Sequence, residues 1–365
     1  MMYLGVDIGS ANVKMIELES YHGKPRLKNY GFAEKAHQAT TSTDEMIRQS
    51  AEIIQKIYRE AGFVSKNVVA ALHNFDVFTS VINLPATNVH DLEDVVRVEA
   101  RKFVPIPLED VVLDWKVLEK PTSSSAAKKG DEVKSQPPGK GGDAEQEVKE
   151  GHEVLLTAAP RKLVKRYVDI FKAAELNILS LETESFAFIR ALLDKSESAP
   201  LLILDIGAVA TDIIIVERQI PVIIRTVEVG GASITETIEQ TLGISKERAE
   251  QFKRDVGIYS SGSGDEHRSI MQLMESIFVP VVNEINYSLD LYKGRNQTIE
   301  KFILSGGSSY LLGLVDFLKE RFHIPVYIGD PWHKIEYPVD LKSTLTEIGP
   351  MCTVAIGLSL KELLE

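Results

Sequence analysis

Apolar positions fall along this chain in two rhythms. Strand-length runs, continuous or alternating, occupy 3–6, 13–19, 27–34, 68–72, 201–204, 211–217, 222–229, 302–304 and 326–328. Helical spacing governs 43–61, 91–103, 160–174, 181–193, 233–242, 246–254, 267–293, 311–322 and 349–364. In the first of these, Met46, Ile47, Ile53, Ile54 and Ile57 share a face behind an N-cap at Ser42 or Thr43. Pro105 stops the second, Pro160 opens the third, and Arg218-Gln219 separates two strands as a hairpin turn. Strands alternating with helices predict an α/β fold.

One segment breaks both rhythms. Residues 119–152 are rich in Ser, Gly, Pro, Lys and Glu and nearly lack large apolar residues. Such a composition cannot bury enough surface to offset the entropy of ordering, so a flexible loop is expected. Strand-like text flanks it at 111–118 and 153–158, which fits a tip joining two paired strands better than an interdomain linker.

Composition narrows the classes. The 365 residues are 44% hydrophobic and 26% charged, enough for a real core and about two or three domains. A single Cys rules out an internal disulfide and a multi-Cys zinc site. The net charge of -12 argues against a broad electrostatic hold on nucleic acid or anionic lipid. Met1-Met2-Tyr3 lacks a basic leader and Asp7 interrupts any apolar core, so no signal peptide is expected. No stretch approaches the roughly 20 apolar residues of a membrane span. A soluble cytoplasmic protein is the expectation.

The strongest signal is an internal repeat. Leu4-Gly5-Val6-Asp7-Ile8-Gly9-Ser10 recurs as Leu202-Ile203-Leu204-Asp205-Ile206-Gly207-Ala208, each time between a strand and a second strand. Two similar α/β halves with a cleft between them are expected. A Gly-containing hairpin turn can bring backbone N–H groups to phosphate oxygens. An Asp at the strand end can hold Mg²⁺, usually through water. One such turn is commonplace; two in matched contexts, with Lys14 on the strand after the first, point to a polyphosphate clamp. A third turn, Ser305-Gly306-Gly307-Ser308, lies between a strand and a helix, where glycines admit a flat ring or ribose and the helix N-terminus adds positive charge.

These three turns together resemble the actin-like ATPase superfamily, which includes actin, sugar kinases, the seventy-kilodalton heat-shock proteins and FtsA. Within it the chain is similar to the PilM family of type IV pilus assembly proteins. Ala158-Ala159-Pro160-Arg161 and Leu181-Glu182-Thr183-Glu184-Ser185 add to that likeness. The resemblance implies ATP and Mg²⁺ as cofactors and duplicated actin-like (ribonuclease H-like) domains. Asp7 and Asp205 would be the Mg²⁺-side carboxylates. Gly9, Ser10, Ala11 and Asn12 would give donors to the phosphates, and Lys14 would meet β/γ oxygens. Gly207 and Thr211 would line the second loop, and Gly306, Gly307 and Ser308 would hold adenosine. Glu250 and Lys253, in Ala249-Glu250-Gln251-Phe252-Lys253, would approach ribose and base, unless this is a solvated helix face. Glu182 falls where the family places a residue near the attacking water, or is a helix-capping carboxylate.

The resemblance also implies the layout 1–75 and 177–198 for the first half, 76–176 for a small inserted domain of the FtsA/PilM type, and 199–365 for the second half, with 230–297 as its subdomain. The implied partner is the short N-terminal cytoplasmic tail of a PilN-like inner-membrane protein, in a groove involving the inserted domain. Phe75, Phe78, Val81 and Ile82 are candidate walls or an ordinary core strand. The last residues, 356–365, carry little basic charge, which favours membrane recruitment through a protein. One departure stands out: the second loop has Ala208 and Ala210 where many members have glycines. Alanine enters φ > 0 only at a cost, so one donor is expected to be misaimed and hydrolysis slow or absent. The competing readings are an FtsA-like polymer and a small-molecule kinase, whose sugar-side base has only Asp76 and Asp114 as nominal candidates.

Overall fold

The computed structural model describes residues 2–35, 42–85, 91–118, 152–258, 265–294 and 297–364. The composition-predicted loop at 119–152 lies outside them, except His152. The chain divides into two compact units, 1–77 with 159–365, and 78–158.

The larger unit contains the expected duplication. Its first sheet takes β1 (Met2–Ile8), β2 (Asn12–Tyr21), β3 (Lys24–Glu34), β4 (Asn67–Leu72) and β8 (Asn177–Thr183) in the order β3-β2-β1-β4-β8. Its second takes β9 (Leu201–Ile206), β10 (Thr211–Glu217), β11 (Ile220–Val227), β12 (Lys301–Ser305) and β13 (Val326–Ile328) in the order β11-β10-β9-β12-β13. In both, an antiparallel meander is followed by two parallel strands. The hairpin turn at Arg218-Gln219 has both residues at positive φ, 50° and 65°, the twist that a two-residue hairpin favours.

Central strands are covered on both faces, which is why they read as continuous apolar runs. In β9, Leu202, Leu204 and Ile206 pack with Ile234 and Ile238 of α5 (Gly231–Leu242) and with Met274, Phe278, Val281 and Ile285 of α7 (Asp265–Lys293). Leu201 and Ile203 face the other way, onto Phe188 of α4 (Glu184–Leu192) and Val354 and Leu358 of α9 (Lys342–Leu364). In the first half, Leu4, Val6 and Ile8 pack against α1 (Thr43–Glu60) and α3 (Arg161–Ala173). Gly5 lets α9 come close to β1: a Cβ there would fall 2.0 Å from the Ala355 carbonyl oxygen.

Several predicted boundaries move. The helix expected over 181–193 begins only at Glu184, because 181–183 complete β8 by pairing with β4. The helix expected over 311–322 is α8 (Leu314–Phe322), so a turn separates it from Gly306–Ser308. The closing helix starts earlier than 349, and Pro350 lies inside it. The 230–297 segment supplies α5, α6 (Lys246–Val256) and α7.

The second unit is narrower than 76–176, because α3 packs on α1 in the first unit. It holds β5 (Phe78–Leu84), β6 (Val111–Leu118) and most of β7 (His152–Pro160) in the order β5-β7-β6, with α2 (Leu92–Phe103) packed on them. Ile82, Leu84, Leu92, Val96, Ala100, Val111, Val154 and Leu156 form its core. Ile82 is therefore a core residue of this unit, whereas Phe75, in the turn after β4, is 64% exposed.

Candidate functional site

The repeat places its chemistry at equivalent register. Across β1–β2, Asp7 lies opposite Lys14; across β9–β10, Asp205 lies opposite Asp212. In an antiparallel pair, residues directly opposite share a face, so each turn presents two side chains together. The first pair is oppositely charged, with Lys14 Nζ donating to Asp7 Oδ2 at 2.9 Å. Burial alone would lower the Lys14 pKa, but Asp7, with Cys352 and Asp205, raises it above its ordinary value. The second pair is like-charged. Burial, then Asp212 and Glu184, push Asp205 well above the usual carboxylate range. Asp212 is raised to about 6 by burial and Glu184. Lys14 thus interacts favourably with carboxylates of both turns, Asp7 directly and Asp205 more weakly.

Gly9 keeps the first turn open: a Cβ there would sit 3.1 Å from Lys14 Nζ. Ser10 is exposed, and Ala11 and Asn12 are half-buried. In the second turn neither Ala208 nor Ala210 takes positive φ. Instead the Gly207 amide turns inward and donates to the Ala210 carbonyl at 2.9 Å, so one donor closes the turn rather than facing a ligand. The start of α5 is clamped over this turn, with Gly231 N–H donating to the Gly207 carbonyl and Ala232 N–H to that of Ala208. Thr211 is buried, and its hydroxyl donates to the Val229 carbonyl at 2.7 Å.

The third turn sits on the end of β9. Ser308 N–H donates to the Ile206 carbonyl at 3.1 Å. Gly306 has φ 86°, and a Cβ there would strike the Ile206 carbonyl oxygen at 2.4 Å. Gly307 faces open space. At Gly231 a Cβ would lie 2.5 Å from Ser308 Oγ and 3.4 Å from Lys253 Nζ, so the glycine is the space these groups share. Lys253 is buried and donates to Gly231 O, Thr235 Oγ1 and Glu250 Oε2 at 3.1, 3.0 and 2.7 Å. Burial works against ionised Glu250, but the Lys253 and Thr235 hydrogen bonds outweigh it and lower its pKa. Glu250 and Lys253 thus belong to the wall beside Ser308, with Lys253 buried rather than on a solvated helix face.

Glu182 stands apart. It lies in β8, and both its oxygens bind Arg190, at 2.6 and 2.9 Å, with Lys361 at 3.6 Å. Glu184, two residues on, is among the charges that raise Asp205. Glu184 Oε1 meets His73 Nδ1 at 2.9 Å and its Oε2 accepts from Asn74 N–H at 3.0 Å. Asn74 Nδ2 in turn donates to Asp212 Oδ2 at 2.8 Å, tying the turn after β4 to the second half. Burial opposes the charge on His73, but Glu184 raises its pKa to about 9. Residue-by-residue reading missed Asp212, Glu184, His73 and Asn74. Only Asp212 carried a usable signal, since it follows Asp205 by the interval that separates Lys14 from Asp7.

The donor set suits a magnesium nucleotide. Two like-charged carboxylates with raised pKa values would be relieved by a dication. Gly9 and Gly231 hold space that any side chain would fill, and the buried Ser309 hydroxyl beside the third turn has no hydrogen-bond partner among the described residues. Among the described residues no three His, Cys, Asp or Glu side chains converge to ligate a metal directly.

Comparison with known proteins agrees with this geometry. A solved PilM-PilN type IV pilus biogenesis complex contains a chain with TM-score 0.79 and 25% identity, covering 99% of this chain and 98% of that one. MreB5 of Spiroplasma citri bound to ADP has TM-score 0.54 and 12% identity over 100% of this chain and 97% of its own, a likeness of fold. The cell division protein FtsA of Staphylococcus epidermidis is 24% identical over 200 residues, 47% of this chain and 42% of FtsA. The chain thus spans less than half the length of this curated relative. The family model described as Type IV pilus assembly protein PilM matches residues 5–133 and 142–363. With that match through nearly all of the sequence, and the actin-like architecture beneath it, the chain belongs to the PilM family of type IV pilus assembly proteins.

Proposed function

We propose that this protein is an ATP-binding scaffold of the inner-membrane pilus machinery, with ATP occupancy setting how it holds a PilN-like partner. The observation that carries this reading is the pair of Asp-Ile-Gly turns at equivalent register on duplicated sheets. Lys14 and the turn at 9–12 would take the phosphates from one side, and Gly207 and Thr211 from the other. Gly306, Gly307 and Ser308, with Glu250 and Lys253, would wall the adenosine. Asp7 and Asp205, helped by Asp212, would hold Mg²⁺ through its waters. Bound Mg²⁺ would supply charge neutralisation at the phosphates.

Hydrolysis should be slow or absent. Glu184 is the carboxylate nearest in role to a water-orienting group, yet both its oxygens are engaged by His73 and Asn74. The partner in this reading is the N-terminal cytoplasmic tail of a PilN-like protein; that a similar chain is found in a solved PilM-PilN complex supports a partner of this kind. Recruitment through a protein suits a chain in which no helix of the described residues is long and apolar enough to cross a membrane. Most apolar residues of α9, among them Leu345, Val354, Ile356, Leu358 and Leu360, are buried in the core and so are not offered to lipid.

Titration of a PilN-like tail peptide into the protein, with and without Mg·ATP, tests this. Binding whose affinity depends on Mg·ATP in the wild type, and is insensitive to it in Asp7→Ala, is expected. Peptide affinity identical in all four conditions would sink the scaffold reading. The FtsA likeness supports one alternative, a polymer, which would show as ATP-dependent sedimentation without peptide.

A further inference from the structure

Around the phosphate turns the positive charge is unevenly committed. Lys14 is paired with Asp7. Lys35 differs: the β2–β3 ladder ends at Asn12 opposite Glu34, and the Lys35 N–H donates to the Ala11 carbonyl at 2.8 Å. This fixes Lys35 to the backbone of the first turn. Its side chain is half-buried and makes no hydrogen bond or ion pair with any described residue. Arg166, on the second turn of α3, is also half-buried and also lacks such a partner among the described residues. Burial lowers the Lys35 pKa, and within its electrostatic reach lie Asp7, Lys14 and Arg166. Tyr167, beside Arg166, senses Asp7 and Glu184, so α3 faces the same group of charges. The first turn of α3 carries no acidic residue, against the preference of a helix dipole. Two partially desolvated cations whose nearest carboxylate, Asp7, is already paired with Lys14 cost stability unless a further anion joins them.

We propose that Lys35 and Arg166 form an anion subsite for the terminal phosphate of a nucleoside triphosphate, distinguishing it from the diphosphate. This rests on the nucleotide reading above and adds a specificity pair to it. Calorimetry on the full-length protein with Lys35→Gln, Arg166→Gln and the double variant tests it. Removing either charge-assisted hydrogen bond should weaken ATP binding by roughly tenfold or more, with ADP affinity kept and Lys35→Arg restoring ATP. Equal weakening for ATP and ADP, or none, would overturn the subsite. A melting scan with tripolyphosphate separates the two claims. The wild type should be stabilised and the double variant not, even if neither nucleotide binds, in which case the nucleotide reading alone fails. Equal stabilisation of both proteins, or of neither, contradicts the subsite. Without ligand, the double variant should melt no lower than wild type.

Discussion

Asp212 and His73 convert the geometry of the site into a pH dependence. The fold raises Asp212 from an ordinary 3.8 to about 6 and His73 from 6.5 to about 9. A raised pKa means the folded state binds the proton more tightly, so each contribution is present at low pH and lost as pH rises through the folded value. The ligand-free protein should therefore lose melting temperature between about pH 4 and 6 and again between about pH 6.5 and 9. Asp212→Asn should alter the first step, which Asp212 shares with Asp205, and His73→Gln should remove the second. An unchanged profile in His73→Gln would show that the His73–Glu184 pair does not titrate with folding. Sequence and structure part company at this scale for a physical reason. Asp7 and Asp205 were legible because a repeated tripeptide marks them twice. Glu182 and Glu184 share one short motif, and only the pairing of β8 with β4 decides which of them points at Arg190 and which at His73. Asn74 reaches Asp212 across 138 residues of sequence, a contact no local pattern encodes.

At the scale of elements, α9 holds the halves together by packing where side chains are missing. Gly5 admits it to β1, and Gly357 admits it to α4: a Cβ at Gly357 would lie 2.0 Å from the Ala187 carbonyl oxygen. That obstacle is backbone and cannot rotate away. Gly357→Val should cost about 3 kcal/mol through overpacking, read as a lower urea midpoint at unchanged slope. A midpoint equal to wild type would mean α9 can shift freely on α4. The periodicity of this helix was visible, but its start was not, since Pro350 reads as a breaker and is accommodated well inside. The third turn shows the opposite error. Its glycines were legible, while the helix expected to follow them directly begins only at Leu314, after a turn.

The whole molecule is a duplicated core whose sequence is interrupted, after residue 77, by a second small unit. Only the repeat made the duplication visible, because the paired sheets share an order of strands and little sequence beyond Asp-Ile-Gly. The low-complexity composition of 122–151 argues that no core depends on it. Deleting those residues should leave both melting temperature and ATP affinity nearly unchanged, and a large drop in either would contradict that. The net charge of -12 now has a local exception, since the one anion the account requires would be met by Lys14, Lys35, Arg166 and backbone amides. The central claim is that the two equivalent turns act on one magnesium nucleotide. Calorimetric titration of Mg·ATP into wild type, Asp7→Ala and Asp205→Ala tests it most directly. Binding to the wild type and a marked loss in each variant, one from each half, are expected. Wild-type affinity retained in both variants, or no binding to the wild type, would contradict it.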